Sequence, residues 1–385
     1  TACIGKWHLG LDWKRNPGCP PFTDAIENGE KGWRADYQKP FGGGPLAVGF
    51  DMFYGIAASL DMVPYTFLEN DHVVEVPTLD KSFPMTVGKE QSGRTRKGPG
   101  AAGFEAENVL PELVSHAVAY IHNRASASAG QPFFLYLPLN SPHTPIAPSA
   151  AWRGKSGISP YADFVMQTDD ALGSVLKALE ENGLKENTVV VMTSDNGCSP
   201  QADFAELAAH GHHPSYTFRG MKADIFDGGH HIPLIVRWPS QIKAGGVYNG
   251  MVCLNDWFAT AADIIGQTLP QGAAEDSVSL WPALHGETSA PVRKTLIHHS
   301  SNGTFAIRQG PWKLIMGCDS GGWSAPKPND RDNKTLPPIQ LYNMLDEGSE
   351  FRNRQAEEPE MVVQLTRQLM KEVTNGSTPA GAAQP

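Results

Sequence analysis

Residues 132–139, PFFLYLPL, are an uninterrupted apolar run that leads into the polar stretch NSPHTP. An apolar run without polar alternation is typical of a strand that is buried on both faces of a parallel sheet. TVVVMTS at 188–194 and IPLIVRW at 232–238 have the same character, and 4–9 is a shorter strand-like run. These segments predict the central sheet of the fold.

Helical segments separate these strands. Residues 107–125 precede the first long run and place their apolar side chains on one helical stripe, while 161–183 and 255–266 are helical patterns that end at glycine. This alternation predicts an α/β fold in which helices cover both faces of a mostly parallel sheet.

The pattern changes towards the C-terminus. TLIHHS, TFAIRQG, PWKLIM and QLYNM predict short strands, and 359–373 predicts a helix. We therefore expect an α/β domain over 1–285, a small antiparallel sheet with one helix over 286–375, and a disordered tail over 376–385.

Composition excludes several classes of protein. The 385 residues carry 31 Lys and Arg against 41 Asp and Glu, a formal charge of −10, which argues against general nucleic-acid binding. There is no apolar run of about 18 residues, so no membrane span is predicted. The five cysteines are scattered without a CxxC pair and predict neither a zinc site nor a disulfide framework.

Polar residues follow two of the predicted strands. Asp195 and Asn196 end the second long run and offer the hard oxygens that suit Ca²⁺ or Mg²⁺. Two ligands cannot fill the six to eight positions that Ca²⁺ takes, and Asp-Asn-Gly is also a typical strand-ending turn. His143 follows the first run, where Pro142 and Pro145 restrict its backbone, either as a functional imidazole or as part of a rigid loop.

Cations occur in two further segments. In GKWHLG, an extended backbone places Lys6 and His8 on one face and Trp7 and Leu9 on the other. The polar face could bind an anionic group, or it could be the solvated face of an edge strand. Arg219 and Lys222 would form an anion clamp if they lay beside the 195–196 carboxylate, or else a solvated face. The HGHH stretch at 210–213 lacks partners at the spacing of a transition-metal site.

GKWHLG, PHTP, SDNG and RGMK followed by GG and WP, in this order, resemble the type I sulfatases of the alkaline phosphatase superfamily. The resemblance continues through 298–315 and 341–354, so it covers nearly the whole chain. It implies a three-layer α/β/α sandwich with a small C-terminal antiparallel subdomain, and it implies the hydrolysis of a sulfate ester.

The resemblance also implies residue roles. Asp195 and Asn196 correspond to metal ligands, usually for Ca²⁺ with Mg²⁺ as the alternative. The other matches act on the ester. Lys6 corresponds to a lysine that contacts sulfate and nucleophile, and His8 to a histidine that helps break the covalent intermediate. His143 corresponds to a histidine that binds sulfate and protonates the leaving alcohol, and Lys222 to a second sulfate-binding lysine.

The nucleophile of that family is a formylglycine made from Cys or Ser in a Cys/Ser-x-Pro/Ala-x-Arg motif that lies N-terminal to GKWHLG. Only five residues precede Lys6, so we expect the formylglycine and the paired N-terminal aspartates to lie upstream of residue 1, and this truncated copy to be inactive by itself. SAPVR at 289–293 fits the motif's spacing but lies downstream of every other segment. His231 stands where the family usually has Arg.

The resemblance favours a sulfated carbohydrate as the substrate. Arg94, in a basic Gly-rich stretch over 88–103 that predicts a loop, and His210 and His212 are candidate contacts for an anionic sugar, although a solvated basic loop explains the first equally well. The alternatives are a phosphodiesterase or phosphonate hydrolase of the same superfamily, and a non-catalytic copy that binds sulfated glycans. Family members are mostly exported, which predicts an extracytoplasmic location.

Overall fold

The computed structural model describes residues 1–20, 26, 29–127, 130–346 and 349–375. The predicted disordered tail lies outside these residues. The chain forms two compact units, the first made of Thr1–Lys185 with Pro200–His212, and the second of Glu186–Ser199 with the chain from His213 onward. This division does not fall at residue 285, and the predicted domain boundary there stays a prediction.

The first unit contains a five-stranded sheet in the order β4-β3-β2-β1-β9. Strand β1 pairs in parallel with β2 and β9, while β3 and β4 continue the sheet in antiparallel beyond β2. The strands are β1 (Ala2–Lys6), β2 (Met52–Ile56), β3 (Leu68–Glu69), β4 (His72–Val73), β5 (Leu79–Lys81), β6 (Pro84–Val87), β7 (Glu90–Arg94), β8 (Gly98–Gly100) and β9 (Leu135–Tyr136).

Both faces of this sheet are covered near its centre, because successive side chains of a strand point to opposite faces. Ile4 packs in a cluster with Val109 and Leu113, whereas Cys3 packs in a second cluster with Trp13. The helices of the unit are α1 (Val109–Ala127), α2 (Pro160–Glu181) and α3 (Phe204–Ala209), with 3-10 turns at Gly29–Arg34, Pro45–Val48, Ala106–Asn108 and Pro200–Ala202. The predicted helices at 107–125 and 161–183 are confirmed.

The prediction that the 132–139 run is buried on both faces was wrong. Only Leu135–Tyr136 forms a strand, and Phe134 and Tyr136 remain 57% and 46% exposed while they stack on the ring of Phe50. The physical reason is position: β9 is the last strand of its sheet, so it lacks the cover that a central strand receives.

The predicted loop over 88–103 was also wrong. Its residues contribute β7, which pairs with β6, and β8, which pairs with β5. Buried Thr95 links the two small sheets, since its hydroxyl accepts the Phe83 N–H and a hydrogen bond from Tyr65. The residues of β7 are polar and exposed, so the sequence shows no alternation of apolar residues that would predict a strand there.

The second unit ends in a four-stranded antiparallel sheet, β12-β13-β14-β15, on which Leu365 and Leu369 of the last helix pack. This confirms the predicted C-terminal sheet and helix. The elements of the unit are β10 (Val190–Thr193), β11 (Leu234–Arg237), β12 (Thr295–His299), β13 (Phe305–Gln309), β14 (Trp312–Ile315), β15 (Gln340–Asn343), α4 (Asp227–His230), α5 (Asp256–Ile264), α6 (Trp281–Leu284) and α7 (Pro359–Asn375), with 3-10 turns at Lys185–Asn187, Arg331–Thr335 and Ser349–Phe351.

The runs at 188–194 and 232–238 do form strands, but β10 and β11 pair antiparallel with each other. Thr193 lies opposite Leu234, so the chain leaves and re-enters at the same end of the pair, and the second strand must run back along the first. Val191 and Ile235 stay exposed. The prediction of parallel strands buried on both faces was therefore wrong for this pair.

Candidate active site

Lys6 ends β1 at the carboxyl edge of the first unit's sheet, and close backbone packing positions it. A Cβ atom on Gly55 would lie 1.8 Å from the Gly5 carbonyl oxygen, and one on Gly5 would lie 2.1 Å from the Pro138 oxygen. The Lys6 N–H then donates to that same Pro138 oxygen at 2.8 Å. Glycine at both positions lets β1, β2 and the segment that follows β9 pack closely beside the lysine.

His8 lies just beyond the strand in a left-handed conformation, with φ of 59°. Its N–H donates to the Ala57 carbonyl at 2.9 Å, and its ring Nδ1 accepts the Ser59 N–H at 3.0 Å. The predicted two-faced strand over these residues was wrong, because the strand ends at Lys6: Trp7 is buried, yet Leu9 is 77% exposed. The imidazole is nevertheless fixed, through its ring nitrogen rather than through strand geometry.

His143 follows β9 at the same edge. Its ring Nδ1–H donates to the Thr144 carbonyl oxygen at 2.8 Å. Next to it, the Ser141 hydroxyl accepts a hydrogen bond of 2.8 Å from Thr168 of α2, which ties the loop to that helix. Since the Lys6 N–H bonds Pro138 at the end of the same run, the first unit brings the segments that carry Lys6, His8 and His143 to one edge of its sheet.

The second unit holds Asp195, Asn196 and Lys222 in one local arrangement. The Gly197 N–H donates to the Gly229 oxygen at 3.0 Å, and the Lys222 N–H donates to the Cys198 oxygen at 2.9 Å. A Cβ on Gly197 would lie 1.8 Å from the Gly228 oxygen. The turn after β10 is thus packed against the segment that carries Lys222.

Arg219 is not free to form the predicted anion clamp. Its guanidinium donates to the Glu350 carbonyl oxygen at 2.8 Å and to the Tyr342 hydroxyl at 3.2 Å, and it lies 3.9 Å from the centre of the Phe226 ring. These contacts tie the segment to the C-terminal sheet, so the cation acts in packing.

The donor set at 195–196 fits part of a site for a hard cation. Asp195 is exposed and accepts a hydrogen bond of 2.6 Å from the Asn196 side-chain amide, which leaves carboxylate and amide oxygens as donors. Carboxylate and amide oxygens are the ligands that Ca²⁺ and Mg²⁺ take. Across the part of the chain that the structure describes, no three His, Cys, Asp or Glu side chains form a metal cluster, so these two residues would need additional ligands.

The candidate substrate residues lie on the surface of the first unit. Arg94 donates through Nε to the Ser82 hydroxyl at 2.8 Å, and a second nitrogen contacts the Ser82 carbonyl. His210 lies 3.5 Å from Glu206, which also binds Lys89 at the tip of the β6–β7 hairpin. The hairpin and the 200–212 segment are therefore joined, with exposed His212 just beyond.

SAPVR at 289–293 has a structural use. The guanidinium of Arg293 is buried, forms an ion pair with buried Asp256, and donates to the Asp276 carbonyl at 2.8 Å. An arginine used in this way cannot serve a nucleophile at exposed Ser289. The match of spacing is coincidental.

Two features escaped the sequence reasoning. One is a cavity of about 680 Å³ in the first unit, whose wall continues the His143 loop. The other is a buried charge network in the second unit, where Lys313 lies 2.8 Å from both Asp227 and Glu350. The lysine in WKLI, an otherwise apolar strand, was the available signal for the network.

Burial and neighbouring charges shift several pKa values in this network. Burial alone would lower the pKa of Lys313, but Glu350 and Asp227 raise it. The pKa of Asp227 is lowered because Lys313 outweighs its burial, whereas burial raises the pKa of Glu350. Burial and Lys313 together lower the pKa of nearby His230 to about 4.

Comparison with known proteins gives a family match. The sulfatase family model matches residues 1–267. An N-acetylgalactosamine-6-O-sulfatase of Bacteroides thetaiotaomicron is 29% identical over 96% of this chain and 73% of its own length. An arylsulfatase of Hemicentrotus pulcherrimus is 35% identical over 81% of this chain but only 49% of its own length.

A solved structure extends the match to the fold. A Bacteroides thetaiotaomicron protein, described with the metabolism of multiple glycosaminoglycans, has a TM-score of 0.75 at 27% identity and covers 97% of this chain and 79% of its own. The predicted alkaline phosphatase-like α/β class with its small C-terminal sheet is confirmed. Among the described residues, every helix is too short or too polar to cross a bilayer.

Proposed function

Because the chain belongs to the sulfatase family, we propose that the protein of which it is part hydrolyses a sulfate ester on a sulfated carbohydrate. The relative named for an N-acetylgalactosamine 6-sulfate ester supports a sulfated amino sugar as the substrate class. The proposed nucleophile is a formylglycine that a segment outside these 385 residues supplies, because the family motif belongs N-terminal to Lys6. We further propose an extracytoplasmic location, as for most members of the family.

The cations of the site suit the anionic group. Cleavage of a sulfate ester spreads negative charge over the non-bridging oxygens and the leaving oxygen, and fixed cations stabilise this charge without reorganising. Lys6 and Lys222 are the proposed sulfate contacts, as the family resemblance implies. The overall charge of −10 makes such local cations necessary, since the mean field of the chain repels an anion.

The two histidines suit different tasks. His143 donates from Nδ1 to a carbonyl, so a proton on its Nε2 leaves that bond intact, and the imidazolium is a suitable acid for a leaving alcohol. His8 accepts at Nδ1, so its neutral ring carries the proton on Nε2 and presents a donor. We propose that His8 donates to an oxygen of the sulfate or the nucleophile.

Asp195 and Asn196 are the proposed protein ligands of Ca²⁺ in this chain, with further ligands from outside it. A bound divalent cation would add Lewis-acid stabilisation of the sulfate oxygens. The packing of Gly197 on the 228–229 turn would keep the two ligand side chains in place.

The observation that carries the proposal is that the segments that carry Lys6, His8 and His143 lie at one carboxyl edge, where α/β folds bind ligands. The test is release of inorganic sulfate from N-acetylgalactosamine 6-sulfate by the full-length protein, with Lys6→Ala as the inactive variant and exposed Lys39→Ala as its control. Turnover of a phosphonate monoester with none of the sulfate ester would replace the proposal with a phosphonate hydrolase. Tight binding without turnover of either would indicate a sulfated-glycan-binding protein.

A further inference from the structure

The cavity of the first unit is lined in part by the segment that follows His143 in the chain. Its wall includes residues 145–148, which continue directly from the His143 loop, and residues just ahead of α1 and α2. Its volume of about 680 Å³ falls in the range of small-molecule sites, roughly 300–1,000 Å³. A leaving alcohol beside His143 would therefore meet this cavity next.

The wall of the cavity is held rigidly before any ligand binds. The buried carboxylate of Asp163 accepts the Gly154 N–H at 2.7 Å and the Ser156 N–H at 2.8 Å. Gln167 accepts the Ser149 N–H at 2.9 Å, also from α2. Pre-organised walls lower the entropy cost of binding.

The charged side chains of the wall already have partners. Glu107 pairs with Arg153, while Glu105 and Lys89 pair with residues outside the wall, Lys81 at 3.1 Å and Glu206 at 2.5 Å. A second anionic group in the cavity would have to displace one of these pairs and lose its hydration. The surroundings of the cavity favour an uncharged occupant.

A hydroxyl group of the wall is available to a ligand. The Thr86 hydroxyl oxygen is buried and, within the described residues, has no hydrogen-bond partner. Apolar side chains such as Ile146 and Ile158 make up much of the remaining wall. A wall with a large apolar part and a buried hydroxyl suits the mixed apolar and hydroxyl surface of a neutral sugar.

Building on the proposed function, we infer that this cavity binds the sugar residue next to the sulfated one, and that it selects an uncharged residue there. The sulfated residue itself would lie beside His143. The enzyme would then act best on a chain in which the sulfated unit is linked to a neutral sugar rather than to a uronate or a second sulfated unit.

Two substrates test this inference in the full-length protein: N-acetylgalactosamine 6-sulfate, and a neutral disaccharide that carries the same sulfated residue. Ile158→Trp fills the cavity and should lower kcat/KM for the disaccharide at least tenfold while sparing the monosaccharide. Val48→Trp, which introduces the same side chain at a site 64% exposed and outside the wall, should change neither. Equal losses for both substrates would overturn the inference.

Calorimetry with the unsulfated neutral disaccharide separates the cavity from the catalysis. We expect binding that Ile158→Trp abolishes and that Thr86→Val weakens about fivefold, the value of one hydrogen bond between uncharged groups. Binding with no sulfate release would retain the cavity assignment and reject the proposed reaction. Unchanged binding in both variants, or stronger binding of a uronate-containing disaccharide, would reject the cavity assignment.

Discussion

His8 and His143 use the same ring nitrogen in opposite roles: Nδ1 of His8 accepts the Ser59 N–H at 3.0 Å, whereas Nδ1–H of His143 donates to the Thr144 oxygen at 2.8 Å. In their neutral forms, His8 therefore has its proton on Nε2, whereas the Nε2 of His143 is unprotonated. One ring is a donor and the other is ready to take up a proton, although both residues are histidine at the same sheet edge.

The first prediction concerns the donor role of His8. His8→Ala should lower kcat/KM for sulfate release by roughly 10- to 100-fold, since a hydrogen bond to a charged group contributes about 1.5–3 kcal/mol. His8→Gln keeps an N–H donor and should lose less than about tenfold. If both variants lost the same activity, His8 would supply proton uptake instead, and nitrogen NMR of the ring would show the Nδ1–H form.

The second prediction concerns His143 as the acid. His143→Ala should slow release from a sugar sulfate by about 10²- to 10⁴-fold, because an alkoxide is a poor leaving group without protonation. An activated aryl sulfate, whose phenolate leaves unaided, should lose far less in kcat. Equal losses for the two esters would remove His143 from the role of acid.

The third prediction concerns the metal ligands. Removal of divalent ions with a chelator, or Asp195→Ala, should abolish sulfate release, and Asp195→Ala should weaken calorimetric Ca²⁺ binding by at least tenfold. Loss of an ionised ligand removes both a coordinating oxygen and its charge. Asp170→Ala, on the exposed side of α2, serves as the control. Ca²⁺ affinity equal to that of the parent protein would show that the ligands lie elsewhere.

The fourth prediction is a loss of stability in acid. The folded-state pKa of His230 is about 4, below the ordinary value of 6.5, because of its burial and Lys313. Below pH 6.5 the unfolded chain binds a proton that the folded chain does not, so the free energy of unfolding should fall by on the order of 3 kcal/mol from pH 7 to pH 4.

Denaturant titrations of His230→Gln against pH check this prediction. The variant should show a shallower loss of stability over that interval, whereas exposed His285→Gln should keep the parent slope. Buried His298, whose pKa burial also lowers, contributes in the same direction and should leave a residual slope. An unaltered slope in His230→Gln would exclude this histidine as a source.

The fifth prediction concerns the buried network around Lys313. Lys313→Met should cost about 3–5 kcal/mol in the free energy of unfolding, because Asp227 and Glu350 would remain buried without their cation. Adding Glu350→Gln should recover part of that cost by removing one uncompensated charge. A loss of under 1 kcal/mol in urea unfolding would show that water reaches the network.

The sequence was sufficient where local pattern and local structure agree. The helix at 161–183 and the helix at 359–373 were predicted nearly to their ends, since amphipathic spacing and capping are local properties. Burial of Phe134 and Tyr136 was not predictable, because exposure of a strand depends on which neighbours pack beside it. The sequence also placed His143 just after a strand, whereas it put Lys6 inside a strand that in fact ends at this residue.

Other parts of the site depended on contacts between distant segments. The tautomer of His8 depends on Ser59, 51 residues away, and the role of Arg219 depends on Glu350, 131 residues away. SAPVR has the spacing of the family's Cys/Ser-x-Pro/Ala-x-Arg motif, yet the buried ion pair of Arg293 with Asp256 gives this arginine a structural role. Long-range pairs of this kind leave no periodic trace in the sequence.

The meeting of Gly5, Gly55 and Pro138 beneath Lys6 bears on how related enzymes diverge. A Cβ atom at Gly5 or Gly55 would clash with neighbouring backbone, so a single substitution at either position would disrupt the packing beside the lysine. Substitutions are therefore tolerated mainly in the surrounding loops, including those that line the cavity. Enzymes that share an ancestor would then differ in the sugar that they prefer while they keep the same lysine position for the sulfate ester.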